Sequence, residues 1–180
     1  MIAVVVSSSD KTRDVAARTW RAMRRYWPRP CWPMFVGTNH ASEHFEGATQ
    51  LLAPVSEWRL EVETQLELLP ANVKYVLLFL DDFLLLRQVD MALLQSLCEA
   101  AKFRQIKYLS LRPLVSSKIV LARYADRATM YQVPPEFRYY SSLQVALWDK
   151  LHLLRLLRQG GNIWQFETRR APDVPHYVIG

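Results

Sequence analysis

Glycine is scarce in this sequence, with five residues among 180 and no pair spaced as Gly-x-Gly. The phosphate loop of P-loop NTPases and the dinucleotide-binding fingerprint both need closely spaced glycines, so the sequence contains neither motif. Cysteine is scarcer still, and Cys31 and Cys98 can form one disulfide at most. Because nothing else in the sequence suggests secretion, we predict two free thiols in a reducing compartment.

Long apolar runs are also missing. Residues 1–6 are apolar, but they lack the basic flank and the cleavage site of a signal peptide. The apolar stretch from Tyr75 to Leu86 is interrupted by Asp81 and Asp82 and is too short to cross a bilayer. We therefore expect a cytoplasmic protein.

The charge balance is mildly basic, with 23 Lys and Arg residues against 17 Asp and Glu residues. The resulting net charge of +6 is compatible with an anionic ligand and too small to indicate nucleic-acid binding. Many of the cations lie in a helix predicted after residue 10, beside Trp20 and Trp27. Such a face is usually solvated, and the alternative is peripheral contact with the anionic inner membrane. The six tryptophans and the many apolar residues leave room for a homodimer contact.

Apolar residues make up 51% of the chain and are arranged as alternating strands and helices. Ile2–Val6 is a β-branched run typical of a strand buried on both faces, and the amphipathic helix that follows ends at Pro28. Met34–Val36 predicts a second strand, and the order strand–helix–strand indicates parallel pairing.

The same patterns continue along the chain. Further strands are predicted near 50–52, 75–80 and 108–111, and further helices over 58–69 and 91–101. The segment 112–140 is predicted to be irregular and 143–157 to be helical. The sequence therefore predicts one α/β domain with a mostly parallel sheet.

In such sheets ligands bind beyond the carboxyl ends of the strands. The residues at these positions are Ser7 to Asp10, Thr38–Asn39, Asp81–Asp82 and Arg112. Among them, Asp81 and Asp82 stand out because apolar residues precede and follow them. Two carboxylates in such a stretch must be hydrated, paired or metal-bound. One interpretation is a divalent cation completed by a diphosphate, and the other is a turn whose acids cap a helix or pair with Arg112.

Glu167 is a candidate general base, because it follows Trp164 and Phe166 in an aromatic segment. Carboxylates that aromatic rings partly desolvate have a raised pKa, which suits them to accept a proton near neutral pH. The alternative is a surface salt bridge between Glu167 and Arg169 or Arg170.

Two other sites are disfavoured. His40 and His44 are four residues apart, but the order is not His-Glu-x-x-His and the segment has a loop-like composition, so zinc is not expected. Ser7, Ser8 and Ser9 lack a Gly-x-Ser-x-Gly motif, so a serine hydrolase is not expected either.

The sequence resembles small bacterial glycosyltransferase-like proteins of the GT-A type. The most specific matching segments are Leu80-Asp81-Asp82-Phe83, Ser142-Leu143-Gln144 with Trp148, and Trp164-Gln165-Phe166-Glu167. Other matching segments, spread over the chain in the expected order, are Val5 to Asp10, Tyr26-Trp27-Pro28, Val36-Gly37-Thr38-Asn39, Leu111-Arg112-Pro113 and Tyr140-Ser141.

The resemblance implies a single-domain GT-A-like α/β/α sandwich over residues 1–180, with a nucleotide-binding half of about 1–112 and an acceptor-side half of about 113–180. It implies that Asp81 and Asp82 hold Mn²⁺ or Mg²⁺ and that Asp82 and Glu167 are catalytic. The nucleotide-sugar side would comprise Ser7, Ser9, Asp10, Asn39, Asp81 and Arg112. The acceptor side would comprise Gln144, Trp148, Trp164 and Phe166, with Trp164 and Phe166 forming an apolar wall for a sugar.

The leading hypothesis is a metal-assisted, inverting glycosyltransferase that acts on a nucleotide-sugar donor and a glycan or lipid-linked acceptor in bacterial surface polysaccharide synthesis. The alternative is a non-catalytic GT-A-like module that binds a nucleotide sugar or a glycan for a partner protein. A nucleotidyltransferase is a third interpretation, and the missing glycine-rich loop after the first strand argues against it.

Overall fold

The computed structural model describes residues 1–40, 44–112, 121–125, 128–169 and 174–179. The described residues form one nine-stranded sheet, with five α-helices and a short 3₁₀ turn at Asp10–Thr12. The strands are β1 Ile2–Ser7, β2 Met34–Thr38, β3 Thr49–Leu52, β4 Tyr75–Leu80, β5 Tyr108–Ser110, β6 Leu121–Ala125, β7 Ala128–Gln132, β8 Ala146–Asp149 and β9 Tyr177–Ile179. The helices are α1 Arg13–Tyr26, α2 Trp58–Glu67, α3 Met91–Phe103, α4 Lys150–Leu157 and α5 Ile163–Thr168. None of the described helices is long and apolar enough to span a membrane.

The strand order is β3-β2-β1-β4-β8-β5-β9-β7-β6. The first four strands of this order are parallel, as the β-strand–helix–β-strand pattern predicts. The next strand, β8, runs antiparallel to both β4 and β5, so β5 again points the same way as β4. The carboxyl ends of β1, β2, β4 and β5 therefore lie along one edge of the sheet, which we call the site edge.

Helices cover both faces of the sheet, which confirms the predicted α/β/α sandwich. α1 and α3 pack on one face against alternate strand residues that include Val4, Leu77 and Leu109. α2, α4 and α5 pack on the other face against residues that include Val5 and Leu78. Since neighbouring strand residues point to opposite faces, the continuous apolar runs of β1 and β4 are what a sheet covered on both sides requires.

The structure differs from the predicted helix over 143–157. Ala146–Asp149 forms β8, and the helix begins only at Lys150, where the Asp149 side chain accepts a hydrogen bond from His152 N at 2.9 Å. β8 lies between two strands and its first three residues are buried, so its apolar run has no period that distinguishes it from a buried helix.

The prediction of an irregular segment over 112–140 is also wrong in part. β6 and β7 lie within it and pair antiparallel, and β7 also pairs with β9. β-Strand pairing depends on partners distant in sequence, and here β9 is contributed by the last part of the chain. Residues 113–120 and 126–127 lie outside the described residues.

The two cysteines are free and differ in exposure, since Cys31 is exposed and Cys98 lies on the buried face of α3. Burial raises the pKa of the Cys98 thiol to about 12, so that the reactive thiolate is rare at neutral pH. We expect a disulfide-exchange reagent such as DTNB to titrate one thiol in the native protein and two in denaturant. Loss of the native signal in Cys31→Ser would identify the reactive residue, whereas rapid titration of two native thiols would contradict the buried position of Cys98.

Candidate functional site

Asp10 and Asn39 join the carboxyl ends of β1 and β2 at the site edge. Asp10 N donates to Asn39 Oδ1 at 2.8 Å, and Asn39 N donates back to Asp10 Oδ1 at 3.1 Å. The second carboxylate oxygen of Asp10 lies 2.6 Å from His40 Nδ1, and this hydrogen bond holds the pKa of Asp10 below its usual value. His40 therefore helps to hold the Asp10 side chain in its contact with Asn39. Among the described residues, His40 is not part of a group of three or more possible metal ligands.

The Asn39 amide group is committed to the protein itself. Its Nδ2 donates to the carbonyl oxygens of Ala53 and Val55 and to Glu61 Oε1, at 2.6 to 3.0 Å. Ser7 is buried at the end of β1, and Ser9 Oγ lies 3.3 Å from Thr12 Oγ1. Ser7, Ser9, Asp10 and Asn39 of the predicted nucleotide side thus lie together at the ends of β1 and β2, where the Asn39 side chain holds residues 53–55 in place. Arg112, predicted for the same side, instead lines a pocket at the end of β5.

The two adjacent aspartates have different environments. Asp81 Oδ2 accepts hydrogen bonds from Thr12 Oγ1 and, at 2.7 Å, from Ser8 Oγ, and its carbonyl accepts one from Thr19. Asp82 is exposed and forms no hydrogen bond or ion pair with any residue that the structure describes. Asp81 therefore fixes the end of β4 to the start of α1, while the Asp82 carboxylate is exposed at the site edge.

The Asp81 and Asp82 carboxylates could hold a divalent cation only if most of its other ligands came from a bound substrate and water. Within the described ranges, no three His, Cys, Asp or Glu side chains group together as metal ligands. Mg²⁺ is commonly held by one or two carboxylates, with the remaining ligands supplied by phosphate oxygens and water. Asp82, with help from the free Oδ1 side of Asp81, could anchor such an ion when a diphosphate is bound.

A pocket of about 490 Å³ lies on the α5 side of the sheet. It brings together four residues that the sequence predicts for substrate binding or catalysis, which are Arg112, Gln144, Trp164 and Glu167. Aromatic side chains form much of the remaining wall, namely Tyr108, Phe137, Tyr139 and Tyr140. The pocket volume and the mixture of aromatic and polar groups suit a small polar ligand with apolar faces, such as a sugar.

Glu167 is held at one carboxylate oxygen. Its Oε1 accepts hydrogen bonds from Ser142 Oγ at 3.0 Å and from Leu143 N at 2.9 Å. The predicted alternative was a salt bridge with Arg169 or Arg170. Arg169 instead donates to Gly160 O and Gln159 Oε1, and Arg170 lies outside the described residues. One oxygen of Glu167 is thus fixed in place by the Ser142 side chain and the Leu143 backbone, while the side chain lines the pocket.

Tyr108 holds the backbone of Ser142 and is not among the residues predicted for the site. Its hydroxyl donates to Ser142 O and accepts from Ser142 N, both at 3.2 Å, and burial raises its pKa to about 12. The phenol is therefore neutral at physiological pH and can make both bonds. Its place in an apolar strand gives no sign of this contact, because Ser142 lies 34 residues away.

Trp148 and Phe166, which are predicted to bind the acceptor with Gln144 and Trp164, do not line this pocket. Trp148 is fully buried in β8, and Phe166 is 3% exposed and packs against Trp58 and Trp148. Trp164, by contrast, is 69% exposed at the pocket. Residues 164 and 166 belong to a helix, in which positions two apart point in different directions, so they cannot form one wall.

The aspartate pair and the pocket lie along the same edge. Leu78 of β4 and Ser110 of β5 both pair with Ala146 of β8, from opposite sides. Asp81–Asp82 begins three residues beyond Leu78, and Arg112 lies two residues beyond Ser110. Because neighbouring strands are about 4.8 Å apart, the ends of β4 and β5 are separated by roughly 10 Å.

No family model matches the sequence, and no curated protein matches it significantly. Several solved structures match in fold, at low sequence identity. 4-Diphosphocytidyl-2C-methyl-D-erythritol synthase from Anaerococcus prevotii is 12% identical with a TM-score of 0.54, and the match covers 100% of this chain and 87% of that one. TarS 1-349 from S. aureus, solved in complex with UDP, is 10% identical with a TM-score of 0.53 over 99% of this chain.

The galactosyltransferase LgtC, solved with donor and acceptor sugar analogues, is 13% identical with a TM-score of 0.51 over 93% of this chain. This chain spans 60% of TarS 1-349 and 65% of LgtC, less than two thirds of either. At these identities the likeness establishes the fold alone. The chain has a GT-A-like α/β fold, which it shares with this synthase, with TarS and with LgtC.

Proposed function

We propose that this protein is a glycosyltransferase that moves a sugar from a nucleotide-sugar donor to an acceptor hydroxyl bound in the pocket beside Glu167. One observation carries the proposal: a carboxylate fixed at one oxygen lines an aromatic pocket at the site edge of a GT-A-like sheet. Bacterial surface glycans, including lipid-linked ones, are the acceptor class that we propose.

Glu167 has the properties that a general base requires. With Oε1 held by two donors, Oε2 can accept the proton of an acceptor hydroxyl as its oxygen attacks the anomeric carbon. The bond from that carbon to the donor diphosphate breaks in the same step, which inverts the configuration. Trp164 offers an apolar face for a sugar ring, and Arg112 and Gln144 offer hydrogen-bond donors.

Asp82 is the residue that we assign to the donor diphosphate, through Mn²⁺ or Mg²⁺. When bound, such an ion neutralises the charge that develops on the leaving diphosphate. Asp81, by keeping β4 attached to α1, positions Asp82. The Asp10–Asn39 contact likewise shapes the loop over which the nucleotide would lie.

A non-catalytic binding module is the second candidate. The hydrogen bonds that Asp81 Oδ2 and the Asn39 amide make to protein atoms favour it, because they leave Asp82 and Asp81 Oδ1, out of these groups, to hold a metal-bound diphosphate. The two candidates differ in one reaction. A glycosyltransferase incubated with donor and Mn²⁺ should slowly hydrolyse the donor to sugar and nucleoside diphosphate, and a binding module should not.

We expect one of UDP, GDP, CMP or dTDP to stabilise the protein against heating, with a requirement for Mn²⁺. A ligand at about 100 times its dissociation constant adds about 2.7 kcal/mol, which corresponds to roughly 5 to 11 °C for a domain of this size. Asp82→Asn should abolish the metal-dependent part of the shift, since it removes the free carboxylate while leaving the fold unchanged. The measurement is a thermal-shift panel with and without Mn²⁺.

Asp90→Asn is the matched control, because Asp90 is an exposed carboxylate that caps α3 away from the site edge. It should lower the melting temperature slightly and keep the nucleotide response. A panel with no response in wild-type protein would overturn the donor site. Release of pyrophosphate from a nucleoside triphosphate, without sugar transfer, would instead identify a nucleotidyltransferase.

A further inference from the structure

The surface formed by α1 and residues 82–89 combines positive charge with exposed leucines. Residues 10–29 contain seven basic and two acidic residues, a net charge of +5 within a chain whose total is +6. The rest of the chain is therefore almost neutral, and the basic character is concentrated on one side of the molecule.

The cations form a stripe on α1. Arg18, Arg21 and Arg25 are exposed and spaced by three and four residues, so they lie on one face of the helix. The acid on this face, Asp14, lies 3.7 Å from Arg18, and both side chains are about two-thirds exposed. Such exposed pairs contribute little energy and leave the surface potential strongly positive.

Residues 82–89 run alongside this helix. Thr19 Oγ1 donates to Asp81 O at one end, and Val89 N donates to Tyr26 O at 3.0 Å at the other. Gln88 Nε2 also donates to Arg25 O at 3.3 Å. The segment therefore follows the second half of α1, from the site edge to the carboxyl end of the helix.

Side chains of this segment alternate between core and solvent. Phe83 and Leu85 pack against the core beneath α1 and α3, whereas Leu84 is 51% exposed and Leu86 is 82% exposed. Arg87, directly after Leu86, is exposed as well. Two outward leucines beside an arginine stripe are the composition of a surface that lies in the headgroup region of an anionic bilayer.

We propose that α1 and residues 82–89 bind the surface of an anionic membrane, with the arginines at the headgroups and Leu84 and Leu86 inserted between them. A nucleic acid would use the same arginines but would gain nothing from the leucines. The proposal deepens the proposed function, because Asp82 begins this segment and the site edge would then face a lipid-linked acceptor.

The test is binding to sedimented vesicles, with no nucleotide present. Wild-type protein should bind phosphatidylcholine vesicles that contain phosphatidylglycerol, and should not bind pure phosphatidylcholine. Replacing Arg18, Arg21 and Arg25 with glutamine should reduce the partition coefficient by about 100-fold, roughly fivefold for each charge. Raising the salt to about 1 M shortens the Debye length to about 3 Å and should have a similar effect.

Leu86→Ser should weaken vesicle binding by about tenfold, because the variant lacks the apolar side chain whose transfer from water into the bilayer favours binding. The matched controls are Leu151→Ser, since Leu151 is 73% exposed on α4, and Lys74→Gln, since Lys74 is exposed before β4. Both should bind as the wild type does. Unimpaired binding by the arginine or leucine variants would overturn the proposal.

Absence of vesicle binding at low salt, or binding of a single-stranded oligonucleotide in its place, would overturn it too. Each variant should keep the nucleotide-induced thermal shift, because none of the substituted residues is one that we assign to nucleotide or metal binding. Membrane binding and nucleotide binding are thus measured separately, and failure of one is distinguishable from failure of the other.

Discussion

Replacing Glu167 with glutamine should lower the rate of sugar transfer by a factor of about 100 to 10,000, the usual contribution of a general base. The substitution keeps an acceptor oxygen for Ser142 Oγ and Leu143 N, which hold Oε1 in the wild type. The other oxygen is replaced by an amide nitrogen, which cannot take a proton from the acceptor. The side chain therefore retains its position and loses only its basicity.

The measurement is kcat and KM with the donor that the thermal-shift panel identifies, together with the melting temperature. We expect kcat to fall while the donor KM and the melting temperature change little. Glu136→Gln is the matched control, since Glu136 is an exposed acid in the loop that leads to the pocket residue Phe137. A Glu167→Gln protein that binds donor and transfers sugar at the wild-type rate would show that another group is the base.

The parts of the fold that the sequence predicts well are those decided by local patterns. β1 and β4 are continuous apolar runs, and α1 is a strongly amphipathic segment that ends just before Pro28, so each was assigned within two residues of its observed bounds. The strand–helix–strand order then fixed parallel pairing, because crossover connections of this length join parallel strands.

The elements of the fold that the sequence does not predict depend on tertiary contacts. The apolar residues of β8 run on into those of the helix that follows it, and β8 is a strand because it pairs with β4 and β5 on either side. Similarly, the aromatic composition of residues 164–167 predicts an apolar wall only if the segment is not helical, whereas it belongs to α5. The capping box between Asn162 and Gln165, visible as a pattern in the sequence, starts α5 and was the signal that could have shown it.

The sequence likewise predicts which residues lie at the site edge, but not the contacts that they make there. Topology alone brings Asp82 and Arg112 to one edge, since both follow strands that point the same way. The different environments of Asp81 and Asp82 could not be derived from the sequence, because they depend on hydroxyl groups of Ser8 and Thr12 about 70 residues earlier in the chain. Long-range hydrogen bonds of this kind leave no local pattern.

Trp148→Ala should destabilise the protein by about 3 to 5 kcal/mol, the range measured for loss of a buried tryptophan or phenylalanine. Trp148 is fully buried, and its ring lies 4.3 Å from that of Tyr108 and 6.3 Å from that of Phe166. The alanine would leave a cavity beneath the helix that carries Glu167. For a domain of this size we expect the melting temperature to fall by roughly 6 to 20 °C.

Two further substitutions separate a core role for Trp148 from the acceptor-binding role that the sequence suggests. Trp148→Phe keeps an aromatic ring and removes an indole N–H that has no partner among the described residues, so it should cost less stability than alanine and leave ligand binding intact. Trp164→Ala, at an exposed position, should change stability by no more than about 0.5 kcal/mol and weaken acceptor binding. If Trp148→Phe instead weakened acceptor binding at unchanged stability, Trp148 would contact the ligand, and the division between a buried core tryptophan and a pocket tryptophan would be wrong.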